Sequence, residues 1–536
     1  MLRSFRTLFR LLAIARILAR HDALAPPQEL GVAPAVAWIA ARLSRRRVPG
    51  RPGQKLAAAL TELGPSFIKL GQFLSTRADL LGEQVAADLA ELQDRLPPFP
   101  SAAARATIEA ELGAPVAGLF LRFEDHPVSA ASIAQVHFAE IAADEAPPEH
   151  ETAPDEAAAE DQTRVRPENR QVAVKVLRPG IERAFARDVA LFHDLAALAE
   201  RTQPGLRRFK PVQVVRLFAE TVRIEMDLRM EAAAASELAE NFAGDPSYLV
   251  PAVDWQRSAQ RVLTMERRRG IRLDDRAALL AAGHDLEAVL TKAAVIFFRQ
   301  VFRDGFFHGD QHPGNLSVDE DGNIVAVDFG IMGRLDRKTR RYLADMLLAT
   351  LARDYRRLAE VHVEAGYLPR DGNLELFAQA LRSVCEPIFG QPLNRISFAR
   401  LLAQLLQLTE SFAMPVQPQL LLLQKNMLMA EGVSRTLCPD LNIWLLAQPL
   451  IEDWMRAHRG PQARLQDALS EAAAGLERLP ETLANIGRLT DDLAAGGLRL
   501  HPETLRALAH RERGQRLQIR LLWLALALLA GVWLFT

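Results

Sequence analysis

Residues 308–330 contain the stretch that decides the fold, which begins His308-Gly309-Asp310-Gln311-His312-Pro313-Gly314-Asn315 and ends Asp328-Phe329-Gly330. Kinase-type phosphoryl transfer needs an Asp that orients or deprotonates the attacking hydroxyl. It also needs an Asn five residues later that binds metal, and a second metal-binding Asp before a glycine. The spacing meets all three requirements. It predicts Asp310 as the catalytic base, and Asn315 and Asp328 as Mg²⁺ ligands joined by a hairpin-like segment.

An apolar strand pattern upstream, Val172-Ala173-Val174-Lys175-Val176, presents a single lysine. In a kinase-like chain, a lysine at this place holds the α- and β-phosphates of ATP. A lone lysine in a strand usually points into solvent, but its order before the catalytic loop favours the nucleotide role. Such a lysine needs a carboxylate partner on a helix. Glu231 is the leading candidate, in a helical run predicted from Pro211 to about Phe242.

A kinase-like chain is expected to have a glycine-rich phosphate loop ahead of the lysine strand, but this chain has alanine and serine there. Backbone N–H groups can still face phosphates in such a loop, although each Cβ restricts φ and prevents the close approach that glycine gives. The pattern predicts altered nucleotide handling rather than none. The predicted ATP-binding residues of this loop are Val128, Ser129, Ala130, Ala131, Ser132, Ile133, Ala134, Gln135 and Val136.

Two further departures from protein kinases concern the substrate. Gly309 stands where the catalytic loop of protein kinases has an arginine, so the usual basic partner of a phosphorylated activation loop is missing. After Gly330 the chain passes through residues 331–334 almost directly into a helical pattern at Arg337–Leu351. Little room is left for a segment that docks a peptide, so conventional phosphorylation of proteins is disfavoured.

The composition is that of a globular protein large enough for two or three domains. The 536 residues are 49% hydrophobic and have a net charge of −1, which argues against nucleic-acid binding because duplex binders are normally basic. Cys385 and Cys438 have no metal-ligand spacing and support neither a zinc site nor a disulfide framework. Residues 142–170 are acidic and poor in large apolar groups. They are predicted to be a flexible insertion between two β-type runs, Gln135–Ile141 and Gln171–Leu177.

Both ends of the chain have patterns found at membranes. Leu2–Arg20 interleaves apolar residues with arginines, and such a helix either lies on an anionic membrane surface or docks on its own protein with a solvated arginine face. Leu521–Phe535 is an apolar run without charge, preceded by several arginines. It is either a buried core helix or, as we favour, the main part of a C-terminal membrane anchor at residues 519–536.

Three further motifs match one family. They are the Lys-x-Gly-Gln signature at Lys69-Leu70-Gly71-Gln72, the alanine-rich loop at Ala130-Ala131-Ser132 and the Glu-x-Asp motif at Glu225-Met226-Asp227. With them the chain resembles the UbiB family of atypical kinases, which serve ubiquinone biosynthesis, from about Leu60 to Asn442. The resemblance implies that the signature helix lies over the active site and blocks protein substrates. It implies regulatory roles for Lys69, Gln72, Glu225 and Asp227, with Lys69 near the two carboxylates.

The resemblance also implies ATP or ADP and Mg²⁺ as ligands. The implied partners are membrane lipids, prenylated phenol precursors of quinones and other quinone-biosynthesis proteins, with a homodimer as one candidate assembly. The implied location is the bacterial inner membrane, with the catalytic core on the cytoplasmic side. Members of the family typically end in two membrane helices, whereas one short apolar run is evident here. Direct hydroxylation of polyprenylphenols is rejected because no Gly-x-Gly-x-x-Gly turn for a flavin or nicotinamide cofactor is present.

The sequence predicts an α+β, protein-kinase-like bilobal fold, with a small β-containing N-lobe, a helical C-lobe, an N-terminal helical extension and a C-terminal membrane anchor. The predicted divisions are 1–53 for the basic helix and a linker, 54–120 for the extension with the signature, 121–268 for the N-lobe, 269–450 for the C-lobe, 451–518 for a helical tail and 519–536 for the anchor. Three functions fit these patterns. They are an ATPase or small-molecule kinase that assists processing of ubiquinone precursors, a nucleotide-gated lipid-binding scaffold, and phosphotransfer to a small polar acceptor.

Overall fold

A computed structural model of the chain describes residues 2–23, 48–75, 81–90, 92, 96–142, 169–202, 210–369, 372–389 and 418–438, together with the single positions 404, 408, 412 and 414. The predicted tail 451–518, the anchor 519–536 and most of the insertion 142–170 lie outside these residues. None of the described helices is long and apolar enough to cross a membrane.

The N-terminal extension is helical, as the sequence predicts. Its helices are α1 (Leu2–Arg20), α2 (Pro52–Leu63), α3 (Pro65–Ser75) and α4 (Glu83–Ala90). Gly64, at φ 102°, ends α2 directly before α3 begins at a proline. The side chain of Arg10 on α1 lies 2.5 Å from that of Asp188, and Arg20 lies 2.8 Å from Glu62 of α2. Of the two roles considered for this basic helix, these contacts support docking on the protein itself.

The N-lobe contains an antiparallel sheet with helices on both sides. In chain order its elements are α5 (Ser101–Leu112), α6 (Val116–Leu119), β1 (Arg122–Phe123), β2 (Ser129–Ala130), β3 (Ala134–Ile141), β4 (Arg170–Leu177), α7 (Ile181–Thr202), α8 (Pro211–Glu225), α9 (Leu228–Asn241), β5 (Tyr248–Leu249) and β6 (Val262–Glu266). The strand order is β1-β3-β4-β6, with β2 also paired to β3. β3 and β4 pair from Ala134 opposite Leu177 to Ile141 opposite Arg170. The two predicted β-type runs are therefore the arms of one hairpin that flanks the insertion.

Alternation along β4 decides which side chain faces the space between the lobes. Val172, Val174 and Val176 are buried in the cluster that includes Ile108 of α5. Side chains of a strand point alternately to opposite faces, so Lys175 is directed to the other face.

The prediction of one helical run from Pro211 to about Phe242 is wrong in one respect. The structure divides this stretch into two helices, α8 and α9. Asp227 caps α9 and accepts a hydrogen bond from the N–H of Arg229 at 3.2 Å. The N–H of Leu228 donates at 2.9 Å to the carbonyl of Gln260, next to β6. A tertiary hydrogen bond and an N-cap thus end the first helix without a proline or glycine.

The C-lobe is helical with two small sheets. Its elements are β7 (Ile271–Arg272), α10 (Arg276–Ala281), α11 (Leu286–Phe298), β8 (Phe306–His308), β9 (Leu316–Val318), β10 (Ile324–Ala326), β11 (Met332–Arg334), α12 (Arg337–Leu351), α13 (Tyr355–Glu364), α14 (Leu374–Phe389) and α15 (Pro418–Leu437). One sheet has the order β5-β10-β9-β7, and the other pairs β11 with β8. The β9–β10 hairpin confirms the predicted link between Asn315 and Asp328, and α12 confirms the helix predicted at Arg337–Leu351.

Aromatic packing fixes the signature helix α3 against the N-lobe. Phe67 of α3 packs edge to face on Phe192 of α7, with ring centroids 5.1 Å apart. Phe192 lies 6.1 Å from Phe218 of α8. α3 is thus held beside α8, whose last residue is Glu225.

Candidate active site

The predicted Lys175–Glu231 pair connects the sheet of the N-lobe to α9. The Nζ of Lys175 lies 2.7 and 2.9 Å from the two carboxylate oxygens of Glu231, and 3.4 Å from Oδ1 of Asp328. The Glu231 side chain is 6% exposed and that of Asp328 is 47% exposed. The Lys175 ammonium group therefore contacts the buried carboxylate of Glu231 and the half-exposed carboxylate of Asp328.

The charges of this cluster shift the pKa values of all three groups. Burial alone would lower the pKa of the Lys175 ammonium, but the charges of Asp328 and Glu231 outweigh it and raise that pKa. The protein atoms around the half-exposed Asp328 carboxyl oppose its ionisation, yet the Lys175 charge and the Gly330 N–H hold its pKa well below the usual range. Burial and the neighbouring Asp328 raise the pKa of Glu231 against the effect of Lys175. The cluster has two carboxylates and one ammonium, so it is suited to receive a further cation.

His308, at the end of β8, fixes the backbone of the catalytic loop. Its Nε2–H donates to the carbonyl oxygen of Asp328, and its Nδ1 accepts from the N–H of Asp310 at 3.1 Å. Only one neutral tautomer of the ring can make both bonds. Burial lowers the pKa of His308, which is 1% exposed. The buried ring thereby ties the predicted catalytic Asp310 to the predicted metal ligand Asp328.

Asn315 lies against Asp310 in the same loop. Its Nδ2 donates to the backbone oxygen of Asp310 at 2.9 Å and approaches the carboxylate Oδ2 at 3.4 Å. This orientation directs the amide oxygen of Asn315 away from Asp310. Asp328 receives the Gly330 N–H on Oδ1 at 3.1 Å, and half of its side chain is open.

These donors fit Mg²⁺, which prefers carboxylate and amide oxygens. No group of three His, Cys, Asp or Glu side chains gathers as a metal site among the described residues. Asn315 and Asp328 would therefore hold a magnesium ion together with water and nucleotide phosphates, as is usual for this ion. When bound, it would neutralise phosphate charge.

The glycine at position 309 is required by a close approach of the chain. A Cβ there would lie 2.9 Å from Cγ2 and 3.0 Å from the backbone oxygen of Ile331. The Gly309 N–H donates to that same oxygen at 2.8 Å, and Met332 of β11 pairs with His308. The arginine of protein kinases does not fit at this place. The residues after Gly330 form a strand against the catalytic loop, and α12 follows at once.

The alanine-rich loop is a tight hairpin between β2 and β3. The Ala131 N–H donates to the Ala134 oxygen at 2.8 Å, and the backbone N–H of Arg178 donates to the Ile133 oxygen at 2.7 Å. The Arg178 guanidinium also donates to the Ala131 oxygen at 3.3 Å. These bonds hold the turn from the side of β4.

The predicted ATP-binding run Val128–Val136 divides into two parts. Ser132, Ile133, Ala134 and Gln135 are buried, whereas the remaining members are at least partly exposed. The Gln135 side chain exchanges two hydrogen bonds with the backbone of Phe99, at 3.0 and 3.3 Å. The buried four can meet a nucleotide through the backbone but not through free side chains, because their side chains pack inward.

The signature lysine borders the Lys175 cluster. The Nζ of Lys69 on α3 lies 2.9 Å from Oε2 of Glu225, and both side chains are little exposed. The positive charge of Lys69 is among those that lower the pKa of Asp328, after that of Lys175. The Lys-x-Gly-Gln and Glu-x-Asp motifs thus meet at the edge of the site.

The other signature residues have local partners. Asp227 caps α9 and pairs with the Arg229 guanidinium at 2.9 and 2.7 Å. The Arg229 pair lowers the pKa of the Asp227 carboxyl. Gln72 is partly buried, and its backbone oxygen accepts the Ser75 hydroxyl at 2.7 Å.

Comparison with known proteins agrees with this arrangement. The ABC1 atypical kinase-like domain matches residues 91–146 and 162–362, and the UbiB helical domain matches residues 381–442. A probable protein kinase UbiB of Marinobacter nauticus is 44% identical over 433 residues, which cover 80% of this chain and 75% of that protein. The chain belongs to the UbiB family. A second relative of that name, from Xanthomonas axonopodis pv. citri, is 42% identical over 496 residues, 90% of this chain and 83% of that protein.

The resemblance based on the three motifs is thereby confirmed, and residues 147–161 of the insertion lie outside the kinase-like match. Among solved structures, the complex of Rv3197 with erythromycin from Mycobacterium tuberculosis has a TM-score of 0.44 and 24% identity, over 71% of this chain and 94% of that chain. A likeness of that size carries no argument about function.

Two residues of this UbiB-family site escaped the sequence reasoning. Lys425 of α15 has its Nζ 2.7 Å from Oδ1 of Asp310. The adjacent Asn426 is fully buried, donates to the His308 carbonyl and accepts from the Gln311 N–H at 3.2 Å. The sequence does contain a signal, because Gln424-Lys425-Asn426 is a polar triplet between apolar runs. That signal does not say which loop the triplet meets.

Proposed function

We propose that this UbiB-family protein is an atypical kinase or ATPase that uses ATP with Mg²⁺ and supports ubiquinone biosynthesis at the membrane. Lys175, held in place by Glu231, would bind the nucleotide phosphates, and Asn315 and Asp328 would hold Mg²⁺. Asp310 orients the acceptor oxygen, which belongs to water or to a lipid hydroxyl. The γ-phosphorus forms a bond to that oxygen as its bond to the β–γ bridging oxygen breaks, ADP leaves with the electron pair of the broken bond, and the acceptor proton passes to Asp310.

The observation that carries this proposal is the meeting of Lys175, Glu231 and Asp328 in one ion cluster beside Asp310. These residues come from a strand, a helix and two loops that are far apart in the sequence. A cluster of this kind matches the parts that kinase-type phosphoryl transfer requires. The cluster has a net negative charge, and the Asp328 side chain is half exposed. Both features are suited to binding a magnesium ion.

The surroundings of the site support a proposal about the acceptor class. Gly309 and the strand after Gly330 leave no peptide-docking segment of the usual kind, which disfavours protein substrates. The relatives are named probable protein kinases, and that name indicates a protein acceptor. The identity of the acceptor therefore needs a direct test. We propose a prenylated phenol precursor of quinones, handled at the cytoplasmic face of the bacterial inner membrane together with membrane lipids and other quinone-biosynthesis proteins.

The test is Mg²⁺-dependent ATP hydrolysis by the purified full chain, with and without anionic liposomes and a phenolic analogue of a quinone precursor. Turnover stimulated by lipid and phenol is expected in the wild type. Asp310→Asn is expected to reduce it by about 10²- to 10⁴-fold, the usual range for loss of a catalytic acid–base group. Equal turnover in wild type and Asp310→Asn would refute the mechanism. Phosphate transfer to a small polar acceptor without lipid dependence would instead indicate a small-molecule kinase.

A second candidate, nucleotide-gated lipid binding without physiological phosphotransfer, is favoured by an apolar cavity beside the catalytic loop. It has a volume of about 50 Å³ and is lined by α11, α15 and Gln311, with Leu290, Phe298, Met427 and Val433 among its walls. A space of this size accepts the end of an apolar chain but not a ring system. A variant that binds nucleotide, does not hydrolyse it and still restores quinone synthesis would favour this second function.

A further inference from the structure

The positive charge at the catalytic loop comes from another part of the chain. From His308 to Asn315 the loop contains no lysine or arginine. Lys425 of α15, 115 positions after Asp310, places its Nζ 2.7 Å from the Asp310 Oδ1. We propose that Lys425 is a positioning residue of the reaction, which holds the Asp310 carboxylate in the orientation that receives the acceptor hydroxyl. This inference rests on the proposed function.

The carboxylate of Asp310 is held from two sides of unequal strength. Lys425 contacts Oδ1 at 2.7 Å, whereas the Asn315 amide approaches Oδ2 at 3.4 Å. A contact of 3.4 Å is long for a hydrogen bond and restrains rotation weakly. Without the lysine, only the weaker of these two contacts remains, so the carboxylate can turn away from the acceptor.

Lys425 is itself fixed in place by its neighbour. Asn426 is fully buried and bonds two backbone groups of the loop, the His308 carbonyl and the Gln311 N–H. These groups flank Gly309 and Asp310. The helix therefore clamps the loop on both sides of the catalytic position, and the adjacent lysine has little freedom to move relative to it.

Stability of the fold does not explain the Lys425–Asp310 pair. The side chains are 29% and 28% exposed, and ion pairs with this much access to water contribute little to folding. Catalytic geometry is more demanding, because a displacement of about 1 Å can reduce turnover by about 100-fold. The short Lys425–Asp310 distance and the hydrogen bonds of Asn426 thus matter more for the reaction than for folding.

The two segments also belong to different domains of the family. Asp310 lies in the match to the ABC1 atypical kinase-like domain, and Lys425 lies in the match to the UbiB helical domain. The helical domain thereby supplies a group to the site of the kinase-like domain.

The experiment uses the full chain and compares Lys425→Met and Lys425→Arg with wild type and Asp310→Asn. Arg435→Met is the matched control, because Arg435 lies on the same helix and forms an ion pair, at 2.5 Å, with Glu431 of that helix. Measured are kcat and KM for Mg²⁺-ATP hydrolysis, affinity for a fluorescent ATP analogue, and the midpoint of thermal unfolding.

Lys425→Met is expected to lose about 100-fold in kcat, with nucleotide affinity and the thermal midpoint unchanged. Lys425→Arg is expected to recover most of that loss, and Arg435→Met is expected to match wild type. The Lys425→Met/Asp310→Asn double variant is expected to lose no more than Asp310→Asn alone, because groups that act through one another are not additive.

The outcomes separate this inference from the proposed function. If Asp310→Asn abolishes turnover while Lys425→Met stays within a few-fold of wild type, the positioning role is wrong and the proposed function stands. If Lys425→Met lowers nucleotide affinity and the thermal midpoint together, and Lys425→Arg restores neither, the lysine is structural and the inference is overturned. If the wild type shows no turnover that depends on Asp310, both fail.

Discussion

Replacing Lys175 by methionine is expected to destabilise the folded protein near pH 8, and a second change, Glu231→Gln, is expected to restore it. Methionine approximates the apolar stem of lysine but lacks the ammonium that contacts Glu231 and Asp328. Glu231 is 6% exposed. A buried carboxylate that loses its counter-charge must either remain ionised at a high cost or take up a proton.

The distance sets the scale of the effect. At 2.7 Å and an effective dielectric constant of about 20, two unit charges attract by about 6 kcal/mol. Desolvation offsets part of this, and breaking a buried pair from one side typically costs about 3–5 kcal/mol. Asp328 is 47% exposed, so water screens its contact with Lys175, and this contact contributes little to stability. A loss of this size lowers the thermal midpoint by about 3–4 °C in a chain of this length.

The pH dependence provides the sharper assay. Burial already raises the pKa of Glu231, and the Lys175 charge is what opposes the rise. A group whose folded pKa lies above its unfolded value adds stability below the unfolded pKa, and that stability is lost as the pH rises through the folded pKa. The deficit of Lys175→Met is therefore expected to be largest at pH 8 and smaller at pH 5.

Thermal unfolding of the full chain in detergent, followed by circular dichroism from pH 5 to pH 8, measures this deficit. The Lys175→Met/Glu231→Gln double variant is expected to regain most of the lost stability and to lose the added pH dependence, because no buried charge remains unpaired. The reasoning is refuted if Lys175→Met unfolds at the wild-type midpoint at pH 8, or if Glu231→Gln brings no recovery.

Two further predictions concern single residues near the site. Gly71→Ala is expected to cost about 1–3 kcal/mol by overpacking, because a Cβ would lie 2.4 Å from Leu92 and 2.8 Å from Leu60. Gly432→Ala, with nothing within 4 Å of the new Cβ, is the control, and equal thermal midpoints for the two variants would contradict the packing argument. Burial lowers the pKa of His308, so the unfolded chain takes up the proton first and stability is expected to fall as the pH drops below about 6.5. His308→Gln is expected to reduce the slope of unfolding free energy against pH between 7 and 5, and an unchanged slope would exclude this histidine as a cause.

Local patterns were sufficient for much of the fold. Alternating valines predicted β4 and placed Lys175 on the opposite face from Val174. The Asp321-Gly322-Asn323 turn lies between β9 and β10, as expected for a hairpin. The structure also shows the predicted contact between Lys175 and Glu231. For the strand and the turn the signal lies within a few residues of the element that it predicts, whereas the Lys175–Glu231 contact spans 56 positions.

The division of α8 from α9 had no comparable signal. The stretch from Pro211 to Phe242 has no internal proline or glycine, so its helical pattern reads as continuous. The break depends on the Leu228 N–H, which donates to Gln260 rather than to the preceding turn. Asp227 is a favourable N-cap, but aspartate is also common on exposed helix faces, so the residue alone does not predict where a helix begins.

Lys425 and Asn426 show why the site itself could be predicted only in part. Their contacts with Asp310 and His308 span 115 and 118 positions, so no local pattern relates them to the catalytic loop. A kinase-like segment without α15 would keep Asp310, Asn315 and the Lys175 cluster but would lose the clamp on the loop. Since Asn426 satisfies two backbone groups that would otherwise need other partners, the helical domain helps to form the candidate active site.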